Sequence, residues 1–183
     1  YNHVSSQLYQ LSRANGVALA DTVSLFQNLA RTAPELGATN EQMLELTNLV
    51  QQLGIIGGST NAQLSAGLLQ FSQGLAAGTF RAEEFNSIIE NLPEVANRIA
   101  KGMGLTVGQL RGAVIEGKVL SKDVFNSLLN QSGEIGTEFE NIPTSMERAG
   151  QSLTASISRF VGLVDQQVRA TERAVNALEA SAG

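Results

Sequence analysis

The sequence predicts an all-α protein, with a compact domain of short helix–turn–helix units followed by a long C-terminal helical arm. Apolar residues recur three and four positions apart along most of the 183 residues, and the period-two alternation typical of strands is nearly absent. Capping boxes, in which a Thr and the Gln or Glu three residues later satisfy each other's backbone N–H groups, open four of the helices: Thr39 with Gln42, Thr60 with Gln63, Thr106 with Gln109, and Thr144 with Glu147.

The composition indicates a folded protein and argues against two kinds of partner. With 43% hydrophobic and 16% charged residues, the chain favours folding over disorder. The net charge is −5 and the basic residues are scattered, whereas nucleic-acid binding needs clustered Lys and Arg, so no direct nucleic-acid contact is expected. No apolar run approaches the roughly 20 residues of a membrane span.

Because the chain begins at Tyr1, without Met, we expect it to be a piece of a longer protein.

The residue inventory predicts no catalytic, cofactor-binding or metal-binding residues. Cys is absent and His3 is the sole histidine, so zinc sites and His-dependent triads are not expected. Glu83 and Glu84 are a pair of carboxylates of the kind that glycoside hydrolysis uses. They are adjacent on a predicted helix, however, and so point about 100° apart. Acidic residues in a first turn ordinarily stabilise the helix dipole. We therefore predict that the chain is not an enzyme.

Three helices are predicted in the first part of the chain. The first covers residues 4–13, and Asn15-Gly16 ends it. The second closes at Pro34 and Gly37. The third begins at its capping box and ends at the Gly-Gly pair of residues 57–58. The apolar face predicted for the second helix comprises Leu19, Val23, Phe26, Leu29 and Ala30.

The fourth helix is predicted to end at Gly78, since glycine adopts the left-handed capping conformation without a Cβ clash. Gly67 and Gly74 lie inside this helix. A mid-helix glycine costs about 1 kcal/mol relative to Ala, so two of them predict that another helix approaches closely. Simple tolerance of the two glycines is the alternative.

A turn and a short amphipathic helix follow Gly78. The apolar face of this helix comprises Phe85, Ile88, Ile89 and Leu92. Pro93 ends the helix, because its ring pushes the preceding residue out of the helical region.

The same device is predicted a second time from Gly117. The segment GKVLSKDVFNSLL is similar to the earlier GTFRAEEFNSII, with one residue added in the turn. Phe80 precedes Phe85 by five residues, and Leu120 precedes Phe125 by five. Both helices are therefore predicted to begin with the same hydrophobic staple. Phe85 and Phe125 are expected to be buried in one core.

The character of the chain changes after residue 132. We predict a compact helical domain over residues 1–132, an acidic hinge over residues 133–143, and a helical arm over residues 144–183. In the arm, apolar residues alternate four and three positions apart, with Thr171 the one polar member of the seam. This seam is predicted to drive self-association, and the arm folding back onto the domain is the alternative. The residues that carry the prediction are Ile157, Val161, Val164, Val168, Val175 and Leu178.

The stretch around Gly78 resembles the amino-proximal domain of bacteriophage tail tape measure proteins. That family has a helix rich in Gln, Ala and Leu, then a Gly-x-hydrophobic turn, an acidic pair, a hydrophobic helix, Glu and Pro. The family usually has glycine just before the acidic pair, where this chain has Ala82. The resemblance covers about residues 8–129, and the matching positions are Gln73, Gly78, Phe80, Glu83, Glu84, Phe85, Glu90 and Pro93.

The resemblance implies a structural protein that sets tail length during assembly. Such a protein lies inside the tail tube in several copies, which favours a small oligomer, and leaves the tube ahead of the DNA. The implied partners are tail tube and assembly proteins. The implied location is the virion tail, after assembly in the bacterial host cytoplasm. A helical adaptor unconnected with phage is the alternative. A cell-wall hydrolase is a third hypothesis, which a composition with one His and no Cys disfavours.

Overall fold

The computed structural model describes residues 2–142 of the chain, and it is all-α over that range, as predicted. These residues contain no strand and form nine helices: α1 Asn2–Asn15, α2 Leu19–Leu36, α3 Asn40–Ile56, α4 Asn61–Ala76, α5 Ala82–Asn91, α6 Pro93–Gly102, α7 Val107–Ile115, α8 Ser121–Leu129 and α9 Ser132–Glu140.

Helix α3 lies at the centre of the packed helices. It contacts α1, α2, α4, α6, α8 and α9. Because neighbours surround it, α3 buries residues on all of its sides rather than on one stripe. The fully buried apolar side chains of α3 are Met43, Leu46, Val50 and Leu53.

Three of the predicted capping boxes are present with both hydrogen bonds, at Thr39, Thr60 and Thr106. In the first, Gln42 N donates to Thr39 Oγ1 at 3.3 Å, and Thr39 N donates to Gln42 Oε1 at 2.9 Å. The box predicted at Thr144 lies outside the described residues.

The buried face of α2 differs from the predicted one. Of the five residues predicted, only Leu29 is buried, and Leu19 is exposed. Two threonines take core positions instead, because local hydrogen bonds satisfy their hydroxyls. Thr22 Oγ1 donates to Ala18 O at 3.1 Å, and Thr32 Oγ1 donates to Leu29 O at 2.7 Å. The buried residues of α2 are Thr22, Leu25, Leu29, Thr32, Ala33 and Leu36.

The predicted close approach of another helix is confirmed at Gly67, which meets the end of α5, whereas the close neighbour of Gly74 lies in the turn before α5. A Cβ built on Gly67 would lie 2.4 Å from Leu92 Cγ, and one built on Gly74 would lie 2.6 Å from Phe80 Cε1. Leu92 and Phe80 are themselves buried, so neither side chain has space to give way. The glycines therefore set the distance between α4 and the segment that follows it.

The two similar turns pair with each other. Thr79 and Leu120 form an isolated antiparallel bridge. Phe80 N donates to Val119 O at 3.0 Å, and Ser121 N donates to Gly78 O at 3.0 Å. One helix–turn–helix device thus lies against its second copy, and backbone hydrogen bonds join the turns.

The prediction of the same staple in both turns is wrong for Leu120. Phe80 is 1% exposed, whereas Leu120 is 49% exposed and Val119 is buried. Thr79 and Leu120 are directly opposite in the bridge, so their side chains lie on the same outer face. Their neighbours Phe80 and Val119 point into the core.

Phe85 and Phe125, the equivalent residues of the two copies, are both buried in the main core cluster, as predicted. The two copies therefore share their helix positions and differ in the turn.

Residues 133–140 of the predicted acidic hinge belong to α9. Ile135 is fully buried, and α9 packs against α3. The glycines and glutamates of this segment, from which a hinge was predicted, lie within a helix that packs against the domain.

We expect the two turn positions to differ in their effect on stability. Phe80→Ala removes a buried aromatic side chain and should lower the free energy of unfolding by about 3–5 kcal/mol. Leu120→Ala, at the half-exposed equivalent position, should change it by no more than about 0.5 kcal/mol. Urea unfolding of the two variants beside the parent chain measures both values. Equal losses at the two positions would contradict the arrangement of the paired turns.

Candidate functional site

The residues predicted for self-association lie outside the part of the chain that the structure describes. Self-association through them therefore stays a prediction. It concerns Ile157, Val161, Val164, Val168, Val175 and Leu178.

The carboxylate pair singled out in the sequence and potential metal ligands lie among the described residues. Glu83 and Glu84 lie in the first turn of α5, the position at which carboxylates favour the helix dipole. Within residues 2–142, no group of three or more acidic or His side chains is placed to hold a metal ion. None of the helices in this range is long and apolar enough to span a membrane. The candidate sites are therefore surfaces and charge clusters.

An ion-pair cluster centres on the buried Arg98 of α6. Its side chain is 7% exposed and contacts three carboxylates. Arg98 Nε lies 3.0 Å from Glu94 Oε1, Arg98 Nη1 lies 3.0 Å from Glu134 Oε1, and Arg98 Nη2 pairs with Glu138. Two of these carboxylates come from α9. Removing the partners of a buried charge is costly because the charge is left uncompensated, so the two carboxylates of α9 anchor α9 to α6.

A second basic residue and an amide reinforce this anchor. Lys101, one turn after Arg98, pairs with Glu134 at the exposed edge of the cluster. Gln131, just before α9, donates from Nε2 to Arg98 O at 2.8 Å. The start and the middle of α9 are therefore held to α6.

The charges in the cluster shift each other's protonation equilibria. Burial opposes the charged form of Arg98, yet hydrogen bonding to Glu94 and the charge of Glu138 keep the pKa of Arg98 above its ordinary value. The hydrogen bond from Lys101 lowers the pKa of Glu134, and Arg98 adds to this effect. Both shifts favour the fully ionised cluster.

A second candidate site is a groove beside the paired turns, which we call the paired-turn groove. Its volume is about 500 Å³. Two of the exposed large apolar side chains of the described residues lie at these turns: Ile115, 67% exposed, lines the groove, and Leu120 belongs to the bridge. The lining residues are Ala77, Thr79, Phe80, Arg81, Ala82, Val114, Ile115 and Gly117.

A second concave surface lies between α1 and α3, with a volume of about 420 Å³. Its walls carry the Gln7, Gln10 and Asn48 amides, with the Glu41 and Glu45 carboxylates beside them. Leu11, Ala14 and Leu44 complete the lining, so the groove combines apolar surface with a negatively charged rim.

Sequence reasoning missed both the Arg98 cluster and the paired-turn groove. Arg98 and Glu138 are 40 residues apart, and a lone Arg in an amphipathic helix carries no local signal of its partners. The one available signal was the run of Glu134, Glu138 and Glu140, which we interpreted as a hinge. The repeat of the two turns was visible in the sequence, but their pairing was not.

Comparison with known families identifies the chain. A family model described as tape measure protein matches residues 1–166. The chain therefore belongs to the tape measure protein family. Neither a curated protein nor a solved structure matched it.

We expect acid to loosen α9 before the rest of the packed helices. The pKa of Glu134 is lowered in the folded state, so its contribution is fully present above the unfolded value of about 4.3 and is lost as the pH falls through the folded value. Amide hydrogen exchange at pH 6 and pH 3, corrected for intrinsic rates, should show Ile135 losing more protection than Phe71 of α4.

A matched pair of variants tests the same anchor at neutral pH. Glu134→Gln removes two ion-pair contacts and should increase the exchange of the α9 amides. Glu140→Gln changes a residue of α9 that makes no ion pair among the described residues, and should leave exchange unchanged. Equal protection of α9 in the two variants would contradict an ionic anchor.

Proposed function

We propose that this phage tail tape measure protein domain acts in tail assembly and in setting tail length, from within the tail tube. The match of the tape measure family model over residues 1–166 carries the proposal. The family is structural, and we propose a structural rather than an enzymatic role for this chain. The partners we propose are tail tube and assembly proteins, met in the host cytoplasm while the virion tail forms.

The close packing of the described helices supports a mechanically rigid structural role. Helix α3 is surrounded by neighbours, and the α4 glycines bring α5 into direct contact with α4. Close-packed interiors of this kind transmit strain rather than absorb it. The ionic anchor holds α9, the last described helix, to the packed helices.

We further propose that the seam of residues 157–182 associates with copies of itself. The sequence pattern supports this, because its β-branched Val residues at alternate seam positions suit helix pairing. An apolar stripe of this length is expected to be covered. The arm folding back onto its own domain is the competing outcome, and the experiment below separates the two.

The double variant Val164→Asp with Val168→Asp should abolish self-association, because it places two charges in the seam. Sedimentation velocity of the full chain measures this, with circular dichroism to follow helicity. Gln166→Asp with Asn176→Asp adds the same charge outside the seam and should leave association intact. A parent chain that is monomeric at high concentration would contradict the proposal. Loss of helicity in the seam variant would indicate a folded-back arm.

The proposed role in setting tail length can be tested by changing the length of the protein. An in-frame duplication of residues 142–183 in the full-length protein adds 42 residues, or six heptads. At 1.5 Å per residue, a helical ruler would lengthen the tail by roughly 60 Å. Electron microscopy of tails from phage carrying the duplication measures this. Tails of unchanged length would contradict a length-setting role for this part of the chain.

A further inference from the structure

We propose that the paired-turn groove binds an extended peptide segment of another protein, in which an apolar side chain and a carboxylate are two residues apart. No part of the family match assigns a binding site to these turns. The groove has three relevant features: apolar lining residues, and two polar features without a partner among residues 2–142, which are the backbone groups of Thr79 and the guanidinium of Arg81.

The groove has the size and the lining of a side-chain pocket. A volume of about 500 Å³ lies within the roughly 300–1,000 Å³ typical of ligand pockets. Ala77, Ala82, Val114 and Ile115 supply apolar lining. Ile115 is the most exposed of the large apolar side chains of residues 3–142, and covering it would remove apolar surface from water. The groove therefore favours an aliphatic side chain.

The backbone at the groove presents unused hydrogen-bonding groups. Thr79 and Leu120 form the wide, non-hydrogen-bonded type of antiparallel pair, since the hydrogen bonds join their neighbours on each side. The N–H and C=O of Thr79 therefore point away from Leu120. Among the described residues they have no hydrogen-bond partner. An added strand would satisfy both groups.

These open groups favour an extended peptide over a helix. A helix satisfies its own backbone groups internally and would leave the Thr79 N–H and C=O without partners. An extended peptide pairs with them while placing alternate side chains on one face. Thr79 and Arg81 are two residues apart, so in an extended segment their side chains lie on the same face. A peptide paired beside Thr79 therefore reaches Arg81 with a side chain two residues from the one in the groove.

The charge at the groove favours a carboxylate. Arg81 is exposed and makes no ion pair among residues 2–142, whereas Lys118, on the paired segment, is already paired with Glu116. The groove between α1 and α3 carries charge of the opposite sign, from the carboxylates of Glu41 and Glu45. A peptide that carries an Asp is therefore directed to the paired turns and away from the other groove.

Two matched peptides test the proposal on the full chain. The probe is acetyl-Thr-Leu-Thr-Asp-Thr-amide, and the control replaces its Asp with Lys. Titration followed by amide chemical shifts should give saturable changes at Thr79, Ala82 and Ile115. The Asp peptide should bind about two- to fivefold more tightly than the Lys peptide, the range expected for one exposed ion pair. The exchange of the Thr79 N–H should be fast in the free chain and slow in the complex.

Two arginine variants separate the groove from general charge effects. Arg81→Gln should remove the preference for the Asp peptide, and Arg111→Gln, an exposed α7 position outside the groove, should keep it. Absence of saturable shifts, equal binding of the two peptides, or an unchanged preference in Arg81→Gln would each overturn the proposal. A Thr79 N–H that is already protected in the free chain would also overturn it, because the groove would then be filled by the chain itself.

Discussion

The enclosure of α3 is the constraint on which the rest of the described structure depends. A helix surrounded by others must satisfy its polar side chains as well as bury its apolar ones. Thr47 Oγ1 donates to Met43 O at 2.7 Å, and Gln51 Nε2 donates to Thr22 Oγ1 at 2.9 Å. Asn15 Nδ2 donates to Gln51 Oε1 at 3.0 Å, so one buried amide joins α1, α2 and α3. These bonds specify which faces of the three helices meet.

Around this centre, two different devices hold the remaining helices. Glycines without side chains let α4 approach Leu92 and Phe80, and the packing there is close because nothing intervenes. The α6–α9 contact depends instead on charge, with Arg98 held between carboxylates of both helices. The first contact is insensitive to pH and salt, whereas the exposed edge of the second responds to both. The packing of α4 should therefore be the same across pH and salt conditions, whereas the docking of α9 should depend on them.

The two similar helix–turn–helix units are joined to each other through their turns. Each copy supplies one extended segment, and backbone hydrogen bonds join the segments at the surface of the packed helices. Phe80 and Val119 close the core beneath the bridge, while Thr79 and Leu120 remain outside it. The two similar helix–turn–helix units therefore form together a small bridged surface that neither unit has alone. At this surface the backbone N–H and C=O of Thr79 have no hydrogen-bond partner among the described residues.

The sequence by itself determined most of the helices, the capping boxes at Thr39, Thr60 and Thr106, and the close approach at Gly67, because these features depend on residues within about one helical turn or on the absence of a side chain. It also marked Phe85 and Phe125 as core positions. Only the tertiary structure decided which face of α2 is buried, where Leu120 points and that α9 docks. Each of these depends on partners far away in the chain: Gln51 lies 29 residues from Thr22, and Glu138 lies 40 residues from Arg98. Local patterns report hydrophobicity and propensity, but a polar or charged side chain is buried only where a distant partner satisfies it.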